Sequence, residues 1–142
     1  MLLPQIRCYH SSIDDQPFTF FILSKGENAG KPALVPWSNC FSIRCNNQES
    51  FDFHFWLVYA VFKSEKFKTR HRGSVILFVS LQDIRDVLKE YTPVVFSHWR
   101  QFQSIMQAMD LLQKSKTTLG QQLITTEKMQ NYLINHFFKT YQ

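Results

Sequence analysis

The sequence has few of the residues that build a covalent or metal scaffold. Three cysteines occur among its 142 residues, at Cys8, Cys40 and Cys45. An odd number without metal-ligand pairing does not predict the disulfide framework of a secreted protein, whereas a reducing cytoplasm suits free thiols. No apolar run approaches the roughly 20 residues of a membrane-spanning helix, and the first residues show no signal-peptide pattern. We therefore expect a soluble, cytoplasmic protein that does not enter a membrane.

The common catalytic and cofactor-binding motifs are also missing. Residues 26–32 read Gly-Glu-Asn-Ala-Gly-Lys-Pro, which leaves three residues between the glycines where a P-loop has four, and Pro32 replaces the hydroxyl residue that binds magnesium. The acidic residues form no acid-x-Lys triplet of the nuclease type. Neither a Gly-x-Ser-x-Gly elbow nor a Gly-x-Gly-x-x-Gly loop occurs. These absences predict no catalytic residue and no cofactor.

A zinc site can be assembled from the sequence only with loose spacing. Cys40, Cys45 and His54 would have to combine with Cys8 and His10, although Cys-x4-Cys is wider than usual zinc spacing. Small buried hydrophobic residues explain the cysteines better. We expect no metal, and we expect neither Cys40 nor Cys45 to act as a nucleophile, because no histidine is positioned locally to activate it.

Aromatic residues are abundant, with 14 Phe, 5 Tyr and 3 Trp, while charged residues make up 19% of the chain. So many aromatic side chains in a chain of ordinary charge predict a folded core rather than a disordered tail. The length is typical of one domain. A net charge of +5 and a pI near 9.2 favour an anionic partner, either nucleic acid or an acidic protein.

The first 93 residues alternate between predicted strands and helices. Residues 18–24 and 37–45 are β-prone and bounded by turn residues, which predicts two strands. Residues 51–62 place apolar side chains on most of a helical circumference, so this aromatic helix belongs inside the protein. The apolar run 74–79 predicts another strand, and Ser80 with Asp83 predicts a capping box for a helix over 81–90.

The last 50 residues are predicted to be mainly helical. After Pro93, residues 94–96 predict one short strand, and from Phe102 to Phe137 the apolar residues approximate a heptad that is interrupted at Lys116, Thr126 and Gln130. Gly120 is expected to divide this region into two helices, as an antiparallel hairpin or a bent stalk. The predicted fold is therefore α/β (mixed α+β). A domain over residues 1–93 has a small mixed sheet around the aromatic helix, and a helical region over 94–142 packs on it as one compact unit.

One segment concentrates the positive charge. Residues 63–72 carry five basic residues and one glutamate, so five minus one gives +4 of the total +5. Contact with DNA phosphates and a solvated helix end explain this pattern about equally well. The aromatic residues of the preceding helix are predicted to be core rather than base-stacking platforms. The predicted nucleic-acid-binding residues, including two lysines of the 25–32 loop, are Lys63, Lys66, Lys68, Arg70, Arg72, Ser74, Lys25 and Lys31.

Two resemblances bear on function. The first covers residues 20–87, including Phe21 to Gly26, Gly30 to Pro32, Asn39 to Phe41, Trp56 and Gly73 to Ile76; over this half the chain resembles a family of short proteins carried on bacterial mobile elements, for which no activity is established. The second rests on Leu57 to Tyr59, Lys63 and Ser64, Phe67, Gly73 to Ile76, Leu81, Ile84 and Pro93. These residues are similar to the target-recognition domain of type I restriction-modification specificity subunits.

The second resemblance implies a mixed α/β module that reads DNA and a dimerising helical stalk after Pro93. It places Lys66, Lys68, Arg70, Arg72 and Ser74 near the DNA backbone. The chain departs from that pattern, because it has one recognition unit rather than two and because Phe102 stands where Glu-Gln usually opens the stalk.

The leading interpretation is a non-catalytic module that binds double-stranded DNA. The alternative is a protein-interaction accessory factor of a mobile element that acts through residues Phe102 to Phe137, by forming a homodimer or by docking on a partner helix. An enzyme with a dispersed site is a third possibility.

Overall fold

The computed structural model describes residues 3–11 and 16–142 of the chain. These residues form two units, Met1–His98 and Trp99–Gln142. The first unit contains a sheet and two helices, and the second is one long helix. The mixed α/β fold class predicted from the sequence is confirmed.

The sheet has four strands: β1 (Gln5–Cys8), β2 (Thr19–Leu23), β3 (Pro32–Ala33) and β4 (Cys40–Arg44). Their order is β1-β4-β2-β3, and every neighbouring pair is antiparallel. The predicted strands over 18–24 and 37–45 are confirmed as β2 and β4. The sheet is therefore antiparallel rather than mixed. The segment predicted as a further strand, 74–79, forms no strand.

Both central strands are buried on their two faces. In β4, Cys40, Phe41, Ser42 and Ile43 are all buried, and in β2 the three residues from Phe20 to Ile22 are buried. The Phe20 ring meets two aromatic rings of the following helix edge to face, with centroid distances of 5.6 and 5.5 Å. A sheet that is covered on both sides reads as a continuous apolar run rather than a clean alternation.

Helix α1 (Gln48–Lys63) is the aromatic helix predicted from the sequence. Asn47 caps it, because its side-chain oxygen accepts a hydrogen bond of 2.8 Å from the backbone N–H of Ser50. Its buried residues include Phe53, Leu57 and Val61, and it packs against β2, β3 and the second helix. Among its aromatic residues, Phe53 lies in the core, whereas Phe51 and Phe55 are half-buried and contact the buried Phe20 ring. The predicted core placement of the aromatic residues is therefore confirmed only in part.

Residues 72–78 form a hairpin rather than the predicted strand 74–79. The backbone N–H groups of Arg72 and Phe78 donate to each other's carbonyl oxygens at 2.9 Å, and the turn between them contains Gly73 with φ +91°. A Cβ at Gly73 would collide with the carbonyl oxygen of Ile76, so the turn requires glycine. Ser74, Val75 and Ile76 are exposed at its tip. The prediction of a strand here was wrong because it relied on apolar composition alone. We call this segment the 72–78 hairpin.

Helix α2 (Leu81–Ser97) begins at the predicted capping box. The backbone N–H of Ser80 donates to the Asp83 carboxylate at 2.8 Å, and the backbone N–H of Asp83 donates to the Ser80 hydroxyl at 3.1 Å. The predicted strand over 94–96 is wrong, because the helix continues through Pro93 to Ser97. Proline removes one backbone donor close to the helix end, where few further hydrogen bonds depend on it.

Helix α3 (Trp99–Tyr141) is continuous over 43 residues. The predicted division at Gly120 is wrong, and with it the helical hairpin. One glycine costs a helix only about 1 kcal/mol relative to alanine, which a long helix of good helix formers tolerates. The packing of this region on the first unit stays a prediction.

Phe67, which follows α1, packs against Gly30 in the loop before β3. Its side chain is 1% exposed, and a Cβ added to Gly30 would lie 2.5 Å from the Phe67 Cγ atom. Gly30 has φ +99°, so both its backbone conformation and the space beside it require glycine.

We predict that Gly30→Ala destabilises the first unit by about 3 kcal/mol or more, because left-handed backbone strain adds to overpacking against Phe67. The matched control is Gly26→Ala: Gly26 has φ +93°, but a Cβ added there would have no atom within 4 Å, so this variant should lose only about 1 kcal/mol. Urea denaturation of both variants checks the difference. Equal losses would show that the contact with Phe67 contributes nothing.

Candidate interaction surfaces

The structure brings the basic segment and the 26–31 loop side by side. After α1 the chain turns and forms one 3₁₀ turn over Lys68–Arg70. The imidazole Nε2 of His71 donates to the carbonyl oxygen of Ala29 at 3.0 Å. Lys25 and Arg72 both form isolated bridges with Phe78 of the hairpin. We call the resulting group, Lys25, Lys31, Lys63, Lys66, Lys68, Arg70, Arg72 and Ser74, the basic cluster.

Three of the cluster's cations are neutralised by carboxylates. Lys68 pairs with Glu65 at 2.7 Å, Arg70 with Glu90 at 2.6 Å, and Arg72 with Asp83 at 3.0 Å. Five basic residues in 63–72 minus these three acids leave +2. The segment is therefore less positive than its own sequence indicates, because two of the acids come from α2.

Arg72 has a structural partner in a buried carboxylate. Asp83 is 4% exposed and accepts hydrogen bonds from Ser80 and from the Arg72 guanidinium. Burial raises the pKa of the Asp83 carboxyl, but the hydrogen bonds from Ser80 and the positive charge of Arg72 outweigh burial and hold that pKa below its usual value. Arg72 therefore helps to anchor the start of α2, which is a sufficient reason for a cation at this position.

Four lysines of the cluster form no ion pair within the part of the chain that the structure describes: Lys25, Lys31, Lys63 and Lys66. The ammonium groups of Lys63 and Lys66 lie over the rings of Tyr59 and Tyr91, at 5.6 and 5.3 Å from the ring centroids. All four lysines and Ser74 are exposed. They are the members of the cluster that are available to an anion.

A pocket of about 230 Å³ lies beside this cluster, between the end of α1 and the 26–31 loop. Lys63, Lys68 and His71 line it, but Glu27 and Glu65 line it too. Such mixed charge does not favour a phosphate group inside it, so contact with an anion would involve the exposed lysine ends.

Cys45, Ser50 and His54 form a buried polar cluster where β4 meets α1. Burial raises the pKa of the Cys45 thiol to about 11, although a hydrogen bond with Ser50 acts in the opposite direction. A thiol with so high a pKa is not a nucleophile at neutral pH. Cys45 and Cys40 are buried and Cys8 is exposed, all three as free thiols.

His54 is fully buried and is held by its own helix. Its Nδ1–H donates to the carbonyl oxygen of Ser50 at 2.7 Å, and its Nε2 has no hydrogen-bond partner among the described atoms. Burial lowers the pKa of His54, because a charged imidazolium would lose its hydration. Across residues 3–11 and 16–142, no three His, Cys, Asp or Glu side chains are grouped to hold a metal.

The second surface is an apolar face along α3. Every residue from 111 to 142 is exposed. The large apolar side chains of this helix that are more than half exposed are Ile105, Leu111, Leu112, Leu119, Leu123, Ile124, Met129, Tyr132, Leu133, Ile134, Phe137, Phe138 and Tyr141. An exposed apolar surface of this extent makes α3 a candidate interaction surface.

This face does not belong to a membrane-spanning helix. Within the described residues, no helix combines the length and the apolar character that crossing a bilayer requires. The charged residues of α3 are Arg100, Asp110, Lys114, Lys116, Glu127, Lys128 and Lys139.

Residues 6–136 match a protein family of unknown function, DUF6943. The chain belongs to this family. The match extends from the first strand into the last turns of α3, so the exposed helix is part of what defines the family and not an appendage to it. No curated protein and no solved structure matches the chain.

We predict that the stability of the first unit falls as the pH decreases from 7.5 to 5. His54 has a lowered folded pKa against an unfolded value of 6.5. Between the two pKa values only the unfolded state takes up the proton, so acidification favours unfolding until the folded pKa is passed. Urea denaturation at both pH values should show a smaller pH-dependent loss for His54→Leu than for the unchanged protein.

The control is His136→Gln in α3, where the imidazole is exposed. This variant should keep the full pH dependence. Asp83 contributes little in this range, because its unfolded pKa of 3.8 and its lowered folded pKa both lie below pH 5. An undiminished pH dependence in His54→Leu would contradict the assignment.

Proposed function

We propose that this protein is a non-catalytic assembly module that binds another α-helix through the apolar face of α3. The observation that carries the proposal is that thirteen large apolar side chains of α3 between Ile105 and Tyr141 are more than half exposed. This is the interaction function that the sequence offered as its alternative, and it fits a family whose match includes the helix.

A helix of this kind needs a partner. Its 43 residues extend about 65 Å at 1.5 Å per residue, and isolated helices gain little stability from propensity alone. Each large apolar side chain that a partner covers contributes roughly 1.5 to 3 kcal/mol. A second helix is the occupant that can cover a face of this length with regular side-chain packing.

The polar face of α3 argues against a membrane surface as the partner. Interfacial helices carry many lysines and arginines on that face, whereas the polar residues here are mostly Gln, Thr and Asn. Thr117, Thr118, Thr125, Thr126 and Thr140 donate their hydroxyls to carbonyls of the preceding turn. Only Lys139 is charged between residues 129 and 142.

We predict that a photo-cross-linking amino acid at Leu119, introduced into the full chain in cells, forms a cross-link to a helical segment identified by mass spectrometry. The same amino acid at Gln121 should not, since Gln121 is two residues away and points about 200° around the helix from Leu119. Absence of cross-links from Leu119, or equal yields from both positions, would contradict an interface on this face.

DNA binding is the second candidate, and a specific observation favours it. Lys25, Lys31, Lys63 and Lys66 are exposed without ion pairs among the described residues, and the fold places their two segments against each other. Lysine contacts of this kind neutralise phosphates without reading sequence. The proposed partner is double-stranded DNA in the cytoplasm of a cell that carries a mobile element. The likeness to a restriction-modification recognition domain is consistent with that partner.

We predict that replacing these four lysines with glutamine weakens duplex binding at least tenfold at low salt. It should also reduce the slope of log K against log salt by about 3 to 4, since each phosphate contact contributes about 0.9. A control with the same charge change at Lys89, Lys114, Lys128 and Lys139 should lose much less. If the unchanged protein fails to bind duplex at low salt, or if the two variants behave alike, the basic cluster is not a DNA site.

A further inference from the structure

The heptad of α3 contains three polar residues, and their positions restrict which helix can pack against it. The positions from Ile105 to Phe137 alternate by four and three residues, as in a coiled-coil seam. Apolar residues occupy it except at Lys116, Thr126 and Gln130. A helix partner must accommodate the ammonium group of Lys116 in the middle of this seam.

Lys116 and Glu127 are two charges of opposite sign that α3 cannot pair with each other. They are eleven residues apart, which is three turns, so they share one face of the helix but lie about 16 Å apart along it. Neither forms an ion pair in the described part of the chain, whereas neighbouring Lys114 pairs with Asp110 at 2.7 Å. An arrangement that brings them together must use a second helix.

A parallel, in-register pair of α3 helices would leave this charge unpaired. Lys116 of each copy would face Lys116 of the other, and two ammonium groups would approach each other inside an apolar seam. Glu127 of each copy would lie about 16 Å along the helices from both Lys116 residues, so no ammonium group would meet a carboxylate.

An antiparallel pair of α3 helices would bring the two opposite charges together. If residue 119 lies opposite residue 123, the two residue numbers of every facing pair add to 242. Lys116 then meets Thr126 of the second copy, next to its Glu127. The apolar pairs in this register are Leu119 with Leu123, Met109 with Leu133, and Ile105 with Phe137.

We propose that α3 forms an antiparallel coiled coil with α3 of a second copy of this chain, in the register that joins Lys116 to Glu127 across the interface. The proposal deepens the proposed function by naming its partner and rests on it. Each pair occurs twice because of the two-fold symmetry. The seam from Ile105 to Phe137 extends about 48 Å. One layer sets Gln130 against Leu112, where the amide can remain in water at the edge of the seam.

Disulfide cross-linking tests the direction of the helices. In full-length protein carrying Cys8→Ser, which removes the exposed native thiol, Met109→Cys and Leu133→Cys are made as separate variants. The antiparallel register predicts a covalent dimer when the two variants are mixed and oxidised, and none from either variant alone. In a parallel pair each variant would cross-link to itself, since residues 109 and 133 lie about 36 Å apart along one helix.

Charge exchange tests the register independently. Lys116→Glu should weaken dimerisation at least about tenfold in sedimentation, because two like-charge contacts per dimer replace two opposite ones. Glu127→Lys should do the same. The double variant should return to within about threefold of the unchanged protein. Circular dichroism confirms that each variant keeps its helix.

The outcomes separate this inference from the proposed function. Self-cross-linking of single cysteine variants, or failure of the double variant to recover, overturns the antiparallel register. A monomer at all concentrations overturns self-association. In that case cross-links from Leu119 to another protein would still support the proposed function, and absence of any cross-link would remove both.

Discussion

The contact between Phe67 and Gly30 positions most of the features that surround the basic cluster. Phe67 is buried at the point where the chain leaves α1, and Gly30 leaves room for its ring because it has no Cβ. The basic segment is thereby held against the 26–31 loop. His71 can then reach Ala29, and the 72–78 hairpin can bridge to Lys25. The start of α2 follows directly, since Arg72 of the hairpin binds Asp83 of the capping box.

Local patterns predicted the parts of the fold that local chemistry determines. The apolar residues of α1 recur at helical spacing, and Ser80 with Asp83 forms a capping box that depends on a four-residue window. The errors occurred where the decisive contact is distant or where a single residue was given too much weight. The run 74–79 is apolar enough for a strand, but no strand lies alongside it for its full length. Gly120 costs α3 only about 1 kcal/mol. Pro93 costs α2 more, about 3 kcal/mol, but it lies four residues before the last residue of that helix.

The sequence predicts the position of the basic cluster but not its net charge after ion pairing. The spacing of Lys63 to Arg72 shows where the cations lie, and Glu65 is visible as a local partner. Glu90 and Asp83 are 20 and 11 residues from the arginines they bind, and nothing in the linear pattern indicates those pairings. Cations that bind carboxylates within the protein must break those contacts before they can bind a phosphate. The tertiary structure therefore reduces the set of available cations to four lysines, and with it the weight of the DNA hypothesis.

The structure also favours an interaction function of α3 more strongly than the sequence did. An interrupted heptad is compatible with a helical hairpin, in which two helices bury their apolar faces against each other. The predicted hairpin divided at Gly120 would have buried the apolar residues of this region in that way. A continuous helix cannot, because two segments of one straight helix never face each other. The apolar side chains from Ile105 to Tyr141 must then meet either water or another surface, and water is the unfavourable alternative. Lys116 makes the seam more selective than a purely apolar one. Its ammonium group favours a partner helix that places a carboxylate beside it and disfavours one that does not. In the proposed antiparallel pair, Glu127 of the second copy supplies that carboxylate, so the interruption of the heptad at Lys116 would specify the partner rather than weaken the association.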